Sequence, residues 1–185
     1  FFLLICFIIT SFEWYIMSKK KKYHLIGFIF LSLSFISAYH LRNNFDDQSL
    51  IIFLTILFTC ISTDIGGYIF GNIFKGPKLT KISPKKTYSG MIGSYILSII
   101  TIYILFIYSY LYNDSVVKFT SETFLIVLLI STVSQIGDII ISFFKRLSKI
   151  KDTGKIIPGH GGLLDRIDGM IFAFPFSYII FSLNI

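Results

Sequence analysis

An all-α, polytopic membrane bundle of about six transmembrane helices is the fold class predicted by three observations. The composition is too apolar for water, the chain divides into six apolar stretches of near-spanning length, and the basic residues fall on alternate loops. Hydrophobic residues make up 54% of the chain, aromatics 18%, and the mean hydropathy is +0.76, above what ordinary water-soluble domains carry. The stretches cover about residues 1–17, 23–41, 50–73, 89–112, 122–144 and 167–185, and most approach the ~20 residues that a spanning helix needs. Of the 17 lysines and arginines, fifteen lie in segments 19–22, 75–86 and 145–166. Only Arg42 and Lys118 fall in the alternate loops, which instead hold Asp46, Asp47 and Asp114. Lysine and arginine accumulate in cytoplasmic loops, so the three basic segments are expected in the cytoplasm and the carboxyl terminus outside.

The same distribution narrows the function. A net charge of +7 with pI near 9.4 would suit a nucleic-acid binder in a soluble chain. Here the charges sit in short loops at one membrane face with few interleaved aromatics, which argues against nucleic acid and for anionic lipid or phosphorylated substrates. Cys6 and Cys60 lie inside apolar runs without metal-ligand spacing and read as small embedded hydrophobes. No linker or internal repeat divides the chain, so residues 1–185 form one membrane domain. The sequence opens on Phe1, and its first apolar run precedes rather than follows the lysine cluster. That order is wrong for a signal peptide, and a missing amino-terminal portion is expected.

Ionisable residues inside apolar runs mark the chemistry, because a charge facing lipid is costly. In the fifth stretch Ser131, Gln135, Asp138, Ser142 and Lys145 follow steps of four, three, four and three, which puts them on one helical face directed at a protein interior. Packing glue between helices is the bland alternative for Ser131 and Gln135; Asp138 demands a cation. In the third stretch Asp64, Gly67 and Gly71 share a face, although the glycine spacing is also the small-xxx-small pattern of close helix packing. The loop after it joins lysines, hydroxyls and two prolines, including Ser83, Lys85 and Lys86. It suits a partly rigid phosphate site, with a solvated positive loop as the competing reading. It is no Walker loop, since no Gly-Lys-Ser/Thr follows.

Segment 151–168 is the richest in chemistry. Glycines around His160, including Gly161 and Gly162, permit close backbone approach and outward-pointing amides suited to an anion. Asp165 and Asp168, three apart, can share a helical face. With Asp138 they can form a carboxylate cluster for magnesium, which takes a few carboxylates plus substrate phosphates and water. Zinc would lack its preferred ligands.

The run from Ser142 to Asp168, with Lys145-Arg146, Lys151-Asp152, His160-Gly161-Gly162 and Asp165-Arg166 at set spacings, resembles the carboxyl-terminal signature of the phosphatidate cytidylyltransferases, or CDP-diglyceride synthases. Residues 64–71 and 82–87 look like that family's second conserved block. The resemblance therefore covers a catalytic core over 50–185, with residues 1–49 read as generic membrane helices. Three positions depart from the family pattern: Ile141 and Ser89 replace glutamates that are common there, and Asn72 replaces a basic residue.

What the resemblance implies is transfer of cytidylate from CTP to phosphatidic acid, with Mg2+ held by Asp138, Asp165 and Asp168. Lys145, Arg146, Lys151, Asp165 and Arg166 are the expected catalytic residues. Ser83, Lys85, Lys86, His160, Gly161 and Gly162 are the expected substrate-binding residues. The attacking phosphate is already anionic, so His160 is expected to hold phosphate rather than abstract a proton. Expected partners are CTP, phosphatidic acid and the bilayer, with no nucleic acid; a homodimer is left open. The expected location is a bacterial cytoplasmic membrane, with the site facing the cytoplasm. The rival readings are a CTP-dependent lipid kinase, which would release CDP instead of pyrophosphate, and a membrane transporter, which would show flux without turnover.

Overall fold

The computed structural model describes residues 1–185 except 46–47, 81, 113–118, 155, 157–160 and 184–185. Every apolar stretch becomes a helix: α1 (Phe2–Ser18), α2 (His24–Asn43), α3 (Ser49–Phe74), α4 (Tyr88–Tyr112), α5 (Ser121–Leu147) and α7 (Met170–Ser182), with the four-residue α6 (Leu164–Ile167) before the last. Four of them, α2 to α5, are long and apolar enough to cross a membrane. The sixth stretch differs from the spanning helix expected over 167–185. Its first residue, Ile167, ends α6 and Asp168-Gly169 form a turn, which leaves α7 with 13 residues and Pro175 inside it. Among the described residues no strand forms, although Lys78 and Thr87 make an antiparallel bridge.

Apolar side chains serve two purposes here. Leu41, Ile56, Ile130 and Ala173 are buried together where α2, α3, α5 and α7 meet. A second cluster of Trp14, Met17, Leu31, Ile141, Leu164 and Ile171 joins α1, α2, α5, α6 and α7. Meanwhile Ile29, Leu33, Ile36, Tyr103, Ile104 and Leu125 point outward, as residues facing hydrocarbon would. Because lipid gives no hydrophobic reward for helix association, the interior relies on small and hydroxyl residues. Thr63 donates to Ser131 Oγ across the α3–α5 contact at 2.8 Å, and Ser94 on α4 donates to the Thr63 carbonyl at 2.6 Å.

Glycine sets the spacing between α3 and α4. A Cβ on Gly66 would lie 2.5 Å from the Gly93 carbonyl oxygen, and one on Gly90 would lie 2.7 Å from that of Gly67. The same Cβ on Gly90 would lie 3.4 Å from the Gly71 Cα, so the helix-packing reading of Gly67 and Gly71 holds, and Asp64 and Gly67 lie beside the cleft described below. The three basic segments collect at one end of the bundle. Tyr23 Oη and Ser148 Oγ are 2.7 Å apart, Lys21 Nζ reaches the Leu147 carbonyl at 3.5 Å, and Lys86 pairs with Asp138. The alternation read from the loops therefore matches the threading.

The α3–α4 contact makes a direct prediction. Gly66→Ala, whose methyl group meets backbone rather than a movable side chain, is expected to destabilise the detergent-solubilised protein by about 1–3 kcal/mol. The unfolding midpoint in detergent measures this, and an unchanged midpoint would contradict the close approach.

Candidate active site

The polar stripe on α5 lies on one face, as its spacing requires. Gln135 Nε2 donates to Ser131 Oγ at 3.4 Å, Ser142 Oγ donates to Asp138 Oδ1 at 3.2 Å, and Lys145 Nζ reaches Asp165 Oδ1 at 2.9 Å. Gln135, Asp138 and Lys145 of the stripe form one wall of a cleft of about 380 Å³ at the basic end of the bundle, with α3, α4, the 75–87 loop and α6 as the other walls. Ser83, Lys85, Lys86, Asp138, Lys145, Asp165, Arg166 and Asp168 all line it, and so does Asp64.

Local structure explains why the 75–87 loop can deliver its lysines. Leu79 N donates to the Lys86 carbonyl at 2.8 Å and Tyr88 N to the Pro77 carbonyl at 3.2 Å, which fold the segment back on itself. Inside it, Ser83 N donates to Thr80 Oγ1 at 3.0 Å and Lys86 N to the Ser83 carbonyl at 3.0 Å. Lys86 is thereby aimed at α5, where its ammonium pairs with Asp138 Oδ2 and donates to the Gln135 carbonyl at 3.3 Å.

Lys145 is the electrostatic centre. Its side chain is only 11% exposed, and its ammonium lies 2.9 Å from Asp165 Oδ1 and 3.8 Å from Asp168 Oδ2. The three-residue spacing of the two aspartates does bring both to one cation. Burial alone would raise Asp165, but the Gly162 amide, the Lys145 ammonium and the Thr153 amide outweigh it and hold the carboxyl below the ordinary carboxylate range. For Asp168, burial first and then the charge of Asp138 push the carboxyl well above that range. A buried acid raised by neighbouring carboxylates is an arrangement that a further cation would relieve.

Several expected residues stand elsewhere. Arg146 and Lys151 are exposed and do not line the cleft, and Arg146 Nη1 is turned to the Ile150 carbonyl at 3.2 Å. Helical periodicity accounts for this: Arg146 follows Lys145 by one residue and so projects about 100° away. Gly162 does not offer its amide to a substrate anion, because that N–H donates to Asp165 Oδ2 at 2.9 Å. Gly161 has a positive φ of 86°, and a Cβ there would lie 2.6 Å from Asp165 Oδ2. The glycines thus close the loop around an internal carboxylate. His160 lies outside the described residues.

The three departures are accommodated. Ile141 is 4% exposed in the second apolar cluster, Ser89 is bonded to the Lys75 carbonyl and to Thr87 Oγ1, and Asn72 is exposed. Among the described residues, no three His, Cys, Asp or Glu side chains gather at mutual metal-binding distance. Asp165 also spends one oxygen on Lys145 and the other on two amides. Asp138 and Asp168 keep more capacity, and the donor set fits magnesium, which takes one or two carboxylates and completes its shell with water and substrate phosphate.

Sequence reading gave no role to Asp152, which lines the cleft, and overlooked Glu13 of α1. It is 2% exposed and accepts hydrogen bonds from the segment that carries Asp165. Its visible signal was a lone ionisable side chain inside an apolar stretch.

Comparison with known proteins places these features in context. The sequence profile of the cytidylyltransferase family matches residues 1–184. The chain is similar to the phosphatidate cytidylyltransferase of Rickettsia typhi, with 38% identity over 178 residues covering 94% of this chain and 75% of that protein. It is similar to the phosphatidate cytidylyltransferase of Staphylococcus saprophyticus, with 33% identity over 184 residues covering 94% and 65%. A third such protein, from Haemophilus influenzae, is 39% identical over 138 residues, covering 72% and 47%.

Two outcomes follow from the Lys145 cluster. Lys145→Met leaves Asp165 and Asp168 without their shared cation and is expected to cost about 3–5 kcal/mol; combining it with Asp165→Asn should restore part of the loss, as an unfolding double-mutant cycle in detergent would show. Because folding lowers the Asp165 pKa, its stabilisation is complete above the unfolded value of about 4 and lost as pH falls through the folded one. The acid limb of midpoint against pH should therefore flatten in Asp165→Asn.

Proposed function

The chain belongs to the cytidylyltransferase family, and from that premise we propose its reaction: CTP and phosphatidic acid give CDP-diacylglycerol and pyrophosphate. It is an integral membrane enzyme of phospholipid biosynthesis. A phosphate oxygen of phosphatidic acid bonds to the α-phosphorus of CTP, the bond from that phosphorus to the bridging oxygen breaks, and pyrophosphate leaves with the electron pair. The supporting observation is the gathering of Lys86, Lys145 and Arg166 with Asp138, Asp165 and Asp168 in one cleft at the basic end of a membrane bundle.

Both substrates are polyanions, so the chief task is to hold two repelling reactants in line. In our reading Lys85, Lys86 and Arg166 bind phosphate oxygens, with Ser83 as a hydroxyl donor from the same folded loop. Lys145 is fixed by Asp165, which keeps a cation in a place where a free lysine would swing toward water. Asp138 and Asp168 would hold Mg2+, with Asp165 adjoining; when bound, the ion neutralises charge that develops on phosphate oxygens. No general base is needed, since the nucleophile is already ionised. We place the site on the cytoplasmic side of a bacterial inner membrane, in keeping with the basic loops at that end.

Incubation of the full chain in detergent with phosphatidic acid, magnesium and CTP labelled at the α-phosphate is expected to place label in the lipid phase. A lipid phase without label, from folded protein, would refute the reaction. Asp138→Asn is expected to lower turnover by about 100-fold or more and to weaken the response to added magnesium. Wild-type rates in that variant would remove Asp138 from the metal site.

A further inference from the structure

Glu13 lies deep in α1, far in sequence from the residues of the cleft, yet each of its oxygens is committed to them. Oε1 accepts from Leu163 N at 2.9 Å; Oε2 accepts from Leu164 N at 2.7 Å and from Thr153 Oγ1 at 3.3 Å. The chain is moulded around this carboxylate: a Cβ on Gly154 or Gly162 would lie 2.7 Å or 2.5 Å from Oε1. Asp165 uses the donors in between, taking Thr153 N at 2.8 Å and Gly162 N at 2.9 Å. Thr153 therefore gives its amide to one carboxylate and its hydroxyl to the other, and successive amides from 162 to 164 are divided between them. Both oxygens of Glu13 are thus satisfied by N–H and O–H donors of the loop itself.

We propose that Glu13 is a positioning residue for the cleft. It staples segments 153–154 and 162–164 to α1, and so sets the place of Asp165 and, through it, the Lys145 ammonium. That role in turnover rests on the cytidylyl-transfer reading; the staple itself does not. Glutamine at this position would present one oxygen and one amide nitrogen, setting donor against donor at Leu163 or Leu164.

The test compares wild type, Glu13→Gln and Thr153→Val in detergent by amide hydrogen exchange and by turnover. Thr153→Val removes only the hydroxyl, leaves α1 intact and keeps the Thr153 amide on Asp165, so it covers the event that Glu13→Gln fails to fold. Exchange over residues 152–154 and 161–168 is expected to quicken about 10–100-fold in Glu13→Gln and about three- to tenfold in Thr153→Val, while α3 and α5 keep their protection. In step with this, kcat should fall about 10–100-fold in Glu13→Gln with KM for CTP within about threefold, because the loop is displaced while Lys85 and Lys86 are not. Unchanged exchange in both variants overturns the staple. Faster exchange with wild-type kcat overturns the positioning role. If the wild-type chain itself transfers no cytidylate, the functional reading fails, and local loss of protection in the variants still upholds the staple.

Discussion

The ammonium of Lys145 is the interaction on which the functional end of this bundle depends. It comes from α5, a long apolar helix, and is met by two carboxylates from a short irregular segment. Without that cation, Asp165 and Asp168 would be two partly or wholly buried negative charges in a medium that penalises them heavily. Without the carboxylates, Lys145 would be an ammonium near the hydrocarbon boundary with a strong tendency to turn toward water. Each group makes the burial of the other tolerable, and together they fix where α6 meets α5.

Around this centre polar groups share the interior with apolar ones. Hydroxyls and glycines join Ile56, Ile102, Val127 and Ile130 in the contacts among α3, α4 and α5, and large aliphatic and aromatic side chains also cover the outside. A bundle in lipid gains little from burying leucine, so its specificity comes from close backbone approach and from hydrogen bonds that have no competing water. The interior is then polar enough to let Thr63, Ser131 and Gln135 continue toward Asp138 without a break.

Much of this was legible in the chain. Six helices followed from hydropathy alone, and the one-sided basic loops gave the alternation that the Tyr23–Ser148 and Lys86–Asp138 contacts reproduce. The α5 stripe was readable because helical periodicity converts spacing into direction. Arg146 and Lys151 were grouped with Lys145 by charge, yet charge carries no direction, and the helix turns Arg146 away. The shortness of α7 was hidden because Ile167, which belongs to α6, is as apolar as the helix that follows, and only the turn at Asp168 and Gly169 separates them. Glu13 escaped attention because its closest partners are the backbone amides of Leu163 and Leu164, 150 and 151 residues away, and amides leave no mark in a sequence.

The Lys86–Asp138 pair has a consequence for how the cleft fills. Asp138, Asp165 and Asp168 already have counter-ions in Lys86 and Lys145, so on the reading proposed above loading the site would be an exchange of ions rather than the charging of an empty low-dielectric space. A phosphate that draws Lys86 away must leave Asp138 to another cation, and a cation that occupies Asp138 releases Lys86 to a phosphate. On that reading the two arrivals would be linked by one lysine, each raising the affinity for the other by the same factor, and neither ion alone would gain as much from the cleft as the two together.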